Sequence, residues 1–236
     1  MRTRRDLDRQ MYLIEKRAAA RKKRRRIRTL RLSFLLLFLL LVIVGVLRFA
    51  GHFSHTYTER TGDKIDALRP PMEVELLTVN PYSRPGTATE KIRGIVVHYT
   101  ANPGSTALEN RNYFENLKDT HETRVSSNFV VGIEGEIVQC VPTWEVAYAS
   151  NERNIDTVSI ECCHPDETGQ FTDATYRSVV ELCAWLCLKF DLDEEDVIRH
   201  YDVTGKECPR YFVENEDAWE NFRADVKEAL AKDLDY

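Results

Sequence analysis

Apolar residues recur along this chain with several distinct spacings, and each change of spacing marks a change of expected structure. Leu32 to Leu47 reads L-S-F-L-L-L-F-L-L-L-V-I-V-G-V-L, sixteen residues without a charge and apolar all round. A core helix carries a polar stripe, so this segment is expected to sit in lipid. At ~1.5 Å per residue it spans ~24 Å, and extending it past Arg48, whose head can snorkel, to Gly51 brings it to the ~30 Å of a hydrocarbon core. Residues 52–71 are polar and end in Pro70-Pro71, which predicts a stalk.

From Met72 onward the pattern is that of a folded domain. Met72 to Asn80 alternates through Val74, Leu76 and Thr78, and P-Y-S-R-P-G follows, so this stretch is expected to wrap the domain in extended form. Ile95-Val96-Val97, just before His98, is a β-branched run that reads as a central strand. Thr106 and Glu109 have the spacing of a capping box and open a helix to about Leu117, with Ala107, Phe114 and Leu117 inward. Strands are expected at 128–133 and 136–141, joined through Glu134-Gly135, and again at 157–162. Thr172 caps a helix on which Tyr176, Val179, Val180, Cys183, Leu186, Cys187 and Phe190 recur at helical spacing. A strand at 197–200 and a last helix from about Asp217, with Trp219, Phe222, Val226 and Leu230 inward, complete the order. Strands interleaved with helices predict an α/β fold: a central mixed β-sheet flanked by helices, preceded by one transmembrane helix.

Charge divides the chain the same way. The formal net charge is −5, but residues 1–31 hold 14 Lys and Arg against 3 acids, whereas residues 49–236 hold 18 against 35. Such asymmetry implies two environments. The cluster from Arg21 to Arg31 abuts the apolar segment, and basic flanks stay cytoplasmic, so the N-terminus is expected inside and the C-terminal domain outside. The predicted organisation is a basic cytoplasmic tail (1–31), a signal-anchor helix (32–51), a stalk (52–71) and an extracytoplasmic domain (72–236), held at the cell membrane by a single pass. A cleavable signal peptide fits less well, because the basic lead is long and Arg48-Phe49-Ala50 puts Arg where a small residue is wanted. Anionic lipid headgroups suit the basic cluster. A nucleic-acid-binding tail is the rival reading; its close approach to a membrane segment argues for no nucleic-acid partner.

All six cysteines, Cys140, Cys162, Cys163, Cys183, Cys187 and Cys208, lie in the outer domain, where disulfides are permitted. Cys183 and Cys187 fall on an apolar helix face and read as small core residues. Among the six histidines, His98 and His200 each close a predicted strand, where side chains of neighbouring strands converge. Cys208 follows eight residues after His200, in R-H-Y-D-V-T-G-K-E-C-P. Two imidazoles and a thiolate suit Zn2+, and three protein ligands leave a fourth position open, as in catalytic rather than structural sites. Two strand-end histidines alone would more readily be satisfied polar residues at a sheet edge, and it is the H-x5-K-x-C-P string that points to a metal.

Four stretches carry a more specific signal: I-V-V-H-Y-T-A-N at 95–102, S-S-N-F-V-V-G-I-E-G-E-I-V-Q at 126–139, T-V-S-I-E at 157–161, and the string from Arg199 to Pro209. With them the region from about 72 to 230 resembles the zinc-dependent N-acetylmuramoyl-L-alanine amidases, a family of phage amidase-type lysozymes that shares its fold with animal peptidoglycan recognition proteins. The resemblance implies one Zn2+ per domain on His98, His200 and Cys208, with Lys206 and Glu161 as catalytic residues. It also implies peptidoglycan as partner and the bond between N-acetylmuramic acid and L-alanine as target. Independently, Glu161 ends an apolar strand run, where a carboxylate is costly unless paired or functional. Partial burial would raise its pKa toward a value useful in proton transfer. Lys206, two residues from a ligand, could place an ammonium near a developing oxyanion.

The chain also departs from the family pattern. Ser127 stands where some members place a tyrosine near the metal, and Tyr148 stands where many have the histidine of a Trp-His pair. Asn128, Tyr148 and Asn151 are the expected substrate contacts, and C-C-H-P at 162–165 either lines the same groove or forms a plain loop. The catalytic domain is expected to act as a monomer. A competing function is a non-catalytic, membrane-anchored peptidoglycan-binding sensor of the same fold, which would need neither Glu161, Lys206 nor Cys208.

Overall fold

A computed structural model describes residues 63–234. The predicted tail (1–31), spanning helix (32–51) and the stalk residues 52–62 lie outside the described residues. Among the described residues, no helix is long and apolar enough to cross a membrane.

The elements run α1 (Asp63–Ala67), β1 (Glu73–Val74), β2 (Ile95–Tyr99), α2 (Ala107–Thr120), β3 (Phe129–Val131), β4 (Ile137–Gln139), β5 (Val158–Cys162), α3 (Asp173–Phe190), β6 (Val197–Arg199), α4 (His200–Thr204), α5 (Arg210–Glu214) and α6 (Glu216–Leu234). Short 3-10 turns at Asn151–Ile155 and Glu194–Asp196 precede β5 and β6. The strands form one mixed sheet in the order β1-β4-β3-β5-β2-β6, in which only the β3–β4 pair is antiparallel. The expected mixed sheet flanked by helices is what the chain forms.

Alternation along the strands sorts side chains to two faces. Ile95, Val97, Phe129, Val131, Val158, Ile160 and Cys162 face one way, onto Val179, Leu182, Cys183 and Leu186 of α3 and Trp219, Phe222 and Val226 of α6. On the other face a smaller core joins Val130, Val138 and Cys140 to Ala107 and Phe114 of α2, with Leu77. Each fully buried Leu, Ile or Phe here contributes ~1.5–3 kcal/mol. The helix starts follow the sequence signals: Thr106 and Glu109 close a full capping box on α2, and the Thr172 side chain accepts from the Thr175 amide on α3. Gly135 makes the β3–β4 turn at φ +85°, and a Cβ there would meet Ser178 Oγ at 2.8 Å and Ala174 O at 2.9 Å.

Three expectations are corrected. The stalk does not extend to residue 71: Ile65, Leu68 and Met72 pack against the large core, and the Trp185 indole donates to Ile65 O at 3.1 Å, so the packed body begins no later than Ile65. The alternation at 72–80 has the opposite phase, with Val74 and Leu76 exposed and Leu77 buried. Past Val74 the segment stays tied to the β4 side, the Glu75 amide donating to Gln139 O (3.0 Å) and the Leu77 amide to Cys140 O (2.9 Å), while Arg111 donates to the outward carbonyls of Glu75 and Leu76 (2.9 and 3.1 Å), so Leu77 faces the small core. Finally, His200 starts α4 instead of closing β6, and a turn of helix at Arg210–Glu214 precedes the last helix.

Candidate metal and catalytic centre

β5 and β2 lie side by side in parallel register, pairing Glu161 with His98, and β3 brings Val130 level with Glu161. These three therefore share a face. α2 lies over β3 and β4 on that face, whereas His98 is met by Ser150 and Cys208 from loops and by His200. β6 flanks β2 on its other side and hands the chain directly to α4, whose first residue is His200. α4 lasts one turn. Gly205, at φ +76°, caps it by donating to Tyr201 O, and the returning chain is tied back when the Tyr201 amide donates to Cys208 O at 2.9 Å. That return places Cys208 beside the two imidazoles.

The His98 and His200 rings are 4.6 Å apart between centroids, and Cys208 Sγ lies 3.8 Å from His98 Nδ1. One donor atom from each of His98, His200 and Cys208 lies within 4.8 Å of the others. Glu161 Oε1 is 4.0 Å from His98 Nδ1. The outer nitrogens are occupied: His98 Nε2 is 3.1 Å from Ser150 Oγ, and His200 Nε2 is 3.0 Å from Asn151 Oδ1.

Electrostatics follow from burial. Desolvation, then the neighbouring His200 and Lys206, holds His98 well below the usual imidazole range. Burial and Lys206 lower His200, against an opposing pull from Glu152. Both rings are thus neutral at pH 7, with lone pairs free to donate. Burial raises the Glu161 carboxyl to about 8, with Lys206 opposing. The Cys208 thiol is pushed up to about 12 by burial and then by Glu161, against the Tyr99 amide and Lys206.

This donor set fits zinc. His200 Nδ1 and Glu161 Oε2 are buried without a hydrogen-bond partner, an expensive state for groups aimed at nothing. Two nitrogens and a sulfur are the ligand types zinc prefers, and in a tetrahedral zinc site such atoms lie ~3.3–3.6 Å from one another, a small contraction from what is present here. A thiol that resists ionisation in a dry pocket is deprotonated by a coordinated cation.

The remaining predicted residues are placed as follows. Lys206 is exposed at the rim, close enough for its charge to depress both imidazoles. Asn128 is not in the groove: it is buried, its Oδ1 accepting from the Ser159 amide (2.9 Å) and its Nδ2 donating to Pro142 O (3.1 Å), so it ties β3 to β5. Tyr148 is half-buried, and its backbone amide is latched to Ser126 Oγ. Asn151 is exposed, with its amide oxygen on His200. Ser127 is buried and its hydroxyl is spent on Phe129 O at 2.6 Å. In C-C-H-P, Cys162 and Cys163 enter the two cores, and the His164 ring is buried, with Nδ1 on Asp166 O. All six cysteines are free and buried.

Ser150 and Arg199 were not anticipated. The Arg199 guanidinium donates to Asp202 (2.9 Å), Glu216 (2.7 Å) and Phe212 O (3.0 Å), which joins α4, α5 and α6 beside His200. Its position between a strand and a histidine was the one available signal.

Comparison with known proteins agrees with the geometry. The chain is 33% identical over 164 residues to the N-acetylmuramoyl-L-alanine amidase CwlL of Bacillus licheniformis, covering 64% of this chain and 45% of that protein. It is 31% identical over 176 residues to BlyA of Bacillus subtilis (strain 168), covering 66% and 46%. The chain thus spans about half the length of the curated relatives it matches. Among solved structures, a mutant endolysin from Bacillus subtilis superposes with TM-score 0.57 at 27% identity, covering 66% of this chain and 98% of that one. The catalytic domain of XlyA does so with TM-score 0.57 at 26% identity, covering 66% and 99%. The family model for N-acetylmuramoyl-L-alanine amidase matches residues 88–211, more than half of the chain and a span that holds His98, Glu161, His200 and Cys208, so the chain belongs to that family.

Proposed function

We propose that this chain is a zinc-dependent N-acetylmuramoyl-L-alanine amidase, anchored by residues 32–51 with its catalytic domain outside the cytoplasm, that hydrolyses the amide between the lactyl group of N-acetylmuramic acid and L-alanine in peptidoglycan. The observation that carries the reading is the meeting of His98, His200 and Cys208 with a carboxyl 4.0 Å from one of them. Those three residues would hold the ion, and zinc, when bound, supplies a Lewis acid's charge to polarise the amide carbonyl and to acidify water.

The protein's own groups divide the rest of the work. Hydrolysis requires that water lose a proton, that the carbonyl oxygen take up negative charge, and that the leaving nitrogen gain a proton. Burial keeps the Glu161 proton on up to about 8, and its carboxylate, which a cation held by the three ligands would favour, can accept the first proton and deliver it to the nitrogen. Lys206 is exposed beside these groups, and its charge is felt by Glu161 and both imidazoles, which suits it to a developing negative charge on the carbonyl oxygen. All five residues come from one chain, which supports a monomeric catalytic unit. Membrane anchorage rests on the apolar run and the charge asymmetry across it.

The full chain in detergent, given peptidoglycan, should release new L-alanine amino termini. Activity should fall by about 10²–10⁴-fold in Glu161→Gln and vanish in His98→Ala and Cys208→Ala. Binding without release by the parent, or undiminished release by Glu161→Gln, overturns the reading.

A further inference from the structure

Both zinc-facing imidazoles lean outward on neighbouring residues of one loop. Ser150 Oγ lies 3.1 Å from His98 Nε2, and Asn151 Oδ1 lies 3.0 Å from His200 Nε2. An amide oxygen only accepts, so His200 Nε2 carries the ring proton and its lone pair sits on Nδ1, the buried atom left without a partner. A serine hydroxyl can donate or accept; when Ser150 accepts from Nε2, the His98 lone pair lies at Nδ1, the atom that faces Cys208 and Glu161.

The loop is braced for this purpose. Asn154 Oδ1 accepts from the amides of Ala149 (3.0 Å) and Ser150 (2.6 Å), and the Arg153 amide donates to Ser150 O (3.0 Å). Thr157 Oγ1 donates to Arg153 O at 2.6 Å, and the Arg153–Asp156 ion pair at 2.8 Å closes the turn. Ser150 is buried, and Asn151 is held at φ +54°, a left-handed conformation uncommon outside glycine and retained where the surroundings impose it.

On the reading that His98, His200 and Cys208 hold zinc, we propose that Ser150 and Asn151 are positioning residues that set the tautomer and aim of both histidine ligands. Two adjacent loop residues thereby align donors that are far apart in the chain. Both acceptors are neutral, so they orient the rings without adding negative charge behind them.

The test is Zn2+ affinity of the full chain in detergent, measured by competition with a chromophoric chelator, together with the visible spectrum of bound Co2+. Ser150→Ala and Asn151→Gly should each weaken Zn2+ binding by about 10–100-fold and shift the Co2+ bands. Glycine adopts φ +54° without strain, so loss in that variant reports the missing acceptor. Asn151→Asp keeps an acceptor at the same atom and should bind at least as tightly as the parent, and if Asn151→Gly unfolds, Ser150→Ala carries the test alone. Parent-like affinity in both Ser150→Ala and Asn151→Gly overturns the inference, as does a loss in Asn151→Asp equal to that in Asn151→Gly. If the parent binds no Zn2+, the metal reading itself falls, and this inference with it.

Discussion

Arg199 is the residue whose removal should most disturb the region around His200 without touching a donor atom. Its side chain is 7% exposed, whereas those of its partners Asp202 and Glu216 are 31% and 61% exposed. In Arg199→Ala both carboxylates can rehydrate, so the two ion pairs account for at most ~1 kcal/mol each. The larger losses lie elsewhere. Phe212 O, which accepts from the guanidinium at 3.0 Å, is left short of a donor, a cost of ~1–2 kcal/mol. The stacking on Trp219, 5.3 Å from the ring centroid, adds ~1 kcal/mol when desolvated.

A total of about 3–4 kcal/mol follows, in keeping with broken buried pairs generally. For a domain of this size that lowers the melting temperature by roughly 6–16 °C. Circular dichroism of the full chain in detergent at pH 7 reads it directly. Arg199→Lys keeps the charge and the stem but loses the fork, so it should recover about half of the loss. An Arg199→Ala chain that melts within about 2 °C of the parent refutes the reasoning.

Three other outcomes follow from the same coordinates. In chelator, Glu161 titrates from about 8 in the folded chain against an ordinary carboxyl pKa when unfolded, so between those values the unfolded chain binds fewer protons; stability is full below the ordinary pKa, falls by up to ~5 kcal/mol as pH rises to 8, then levels off. Melting curves from pH 4 to 9 should show that slope in the parent and not in Glu161→Gln, and equal slopes would contradict it. Asn128→Ala leaves the Ser159 amide and Pro142 O unsatisfied and should cost about 2–4 kcal/mol in thermal stability while leaving KM for peptidoglycan unchanged; a KM rise with an unmoved melting point would restore it as a substrate contact. Trp185→Phe removes the hydrogen bond to Ile65 O and should speed limited proteolysis between residues 63 and 70 severalfold, equivalent to about 1 kcal/mol of local opening, and unchanged cleavage there would show that α1 does not depend on it.

Much of the fold was legible because its signals are local. The capping box of Thr106 and Glu109, the helical stripe of α3, and the β-branched run of β2 each depend on residues within a turn or a strand of one another. The phase error at Leu76 and Leu77 shows where that locality ends. Nothing between 72 and 80 reveals that Arg111, some thirty-five residues later, will hold the outward carbonyls of Glu75 and Leu76, or that Cys140 O will hold the Leu77 amide with its side chain in the core. The stalk reading failed at its end for a similar reason, since Ile65 and Leu68 acquire meaning only against Trp185 and its neighbours on α3.

The site divides along the same line. His98, Glu161, His200 and Cys208 could be singled out because a donor or carboxylate at the end of an apolar strand, or a short step beyond one, is conspicuous in a string of residues. Ser150, Asn151 and Asn128 are small polar residues in polar surroundings, and a list of neighbours cannot distinguish a hydroxyl that faces water from one that faces an imidazole. What separates them is the backbone: φ +54° at Asn151 turns its amide onto His200, whereas the register of β3 against β5 buries Asn128 between two strands. The chemistry of the donors is therefore written in residue type, and their aim is written in conformation, which is why residue type alone singled out Asn151 near the site but did not reveal its hold on His200.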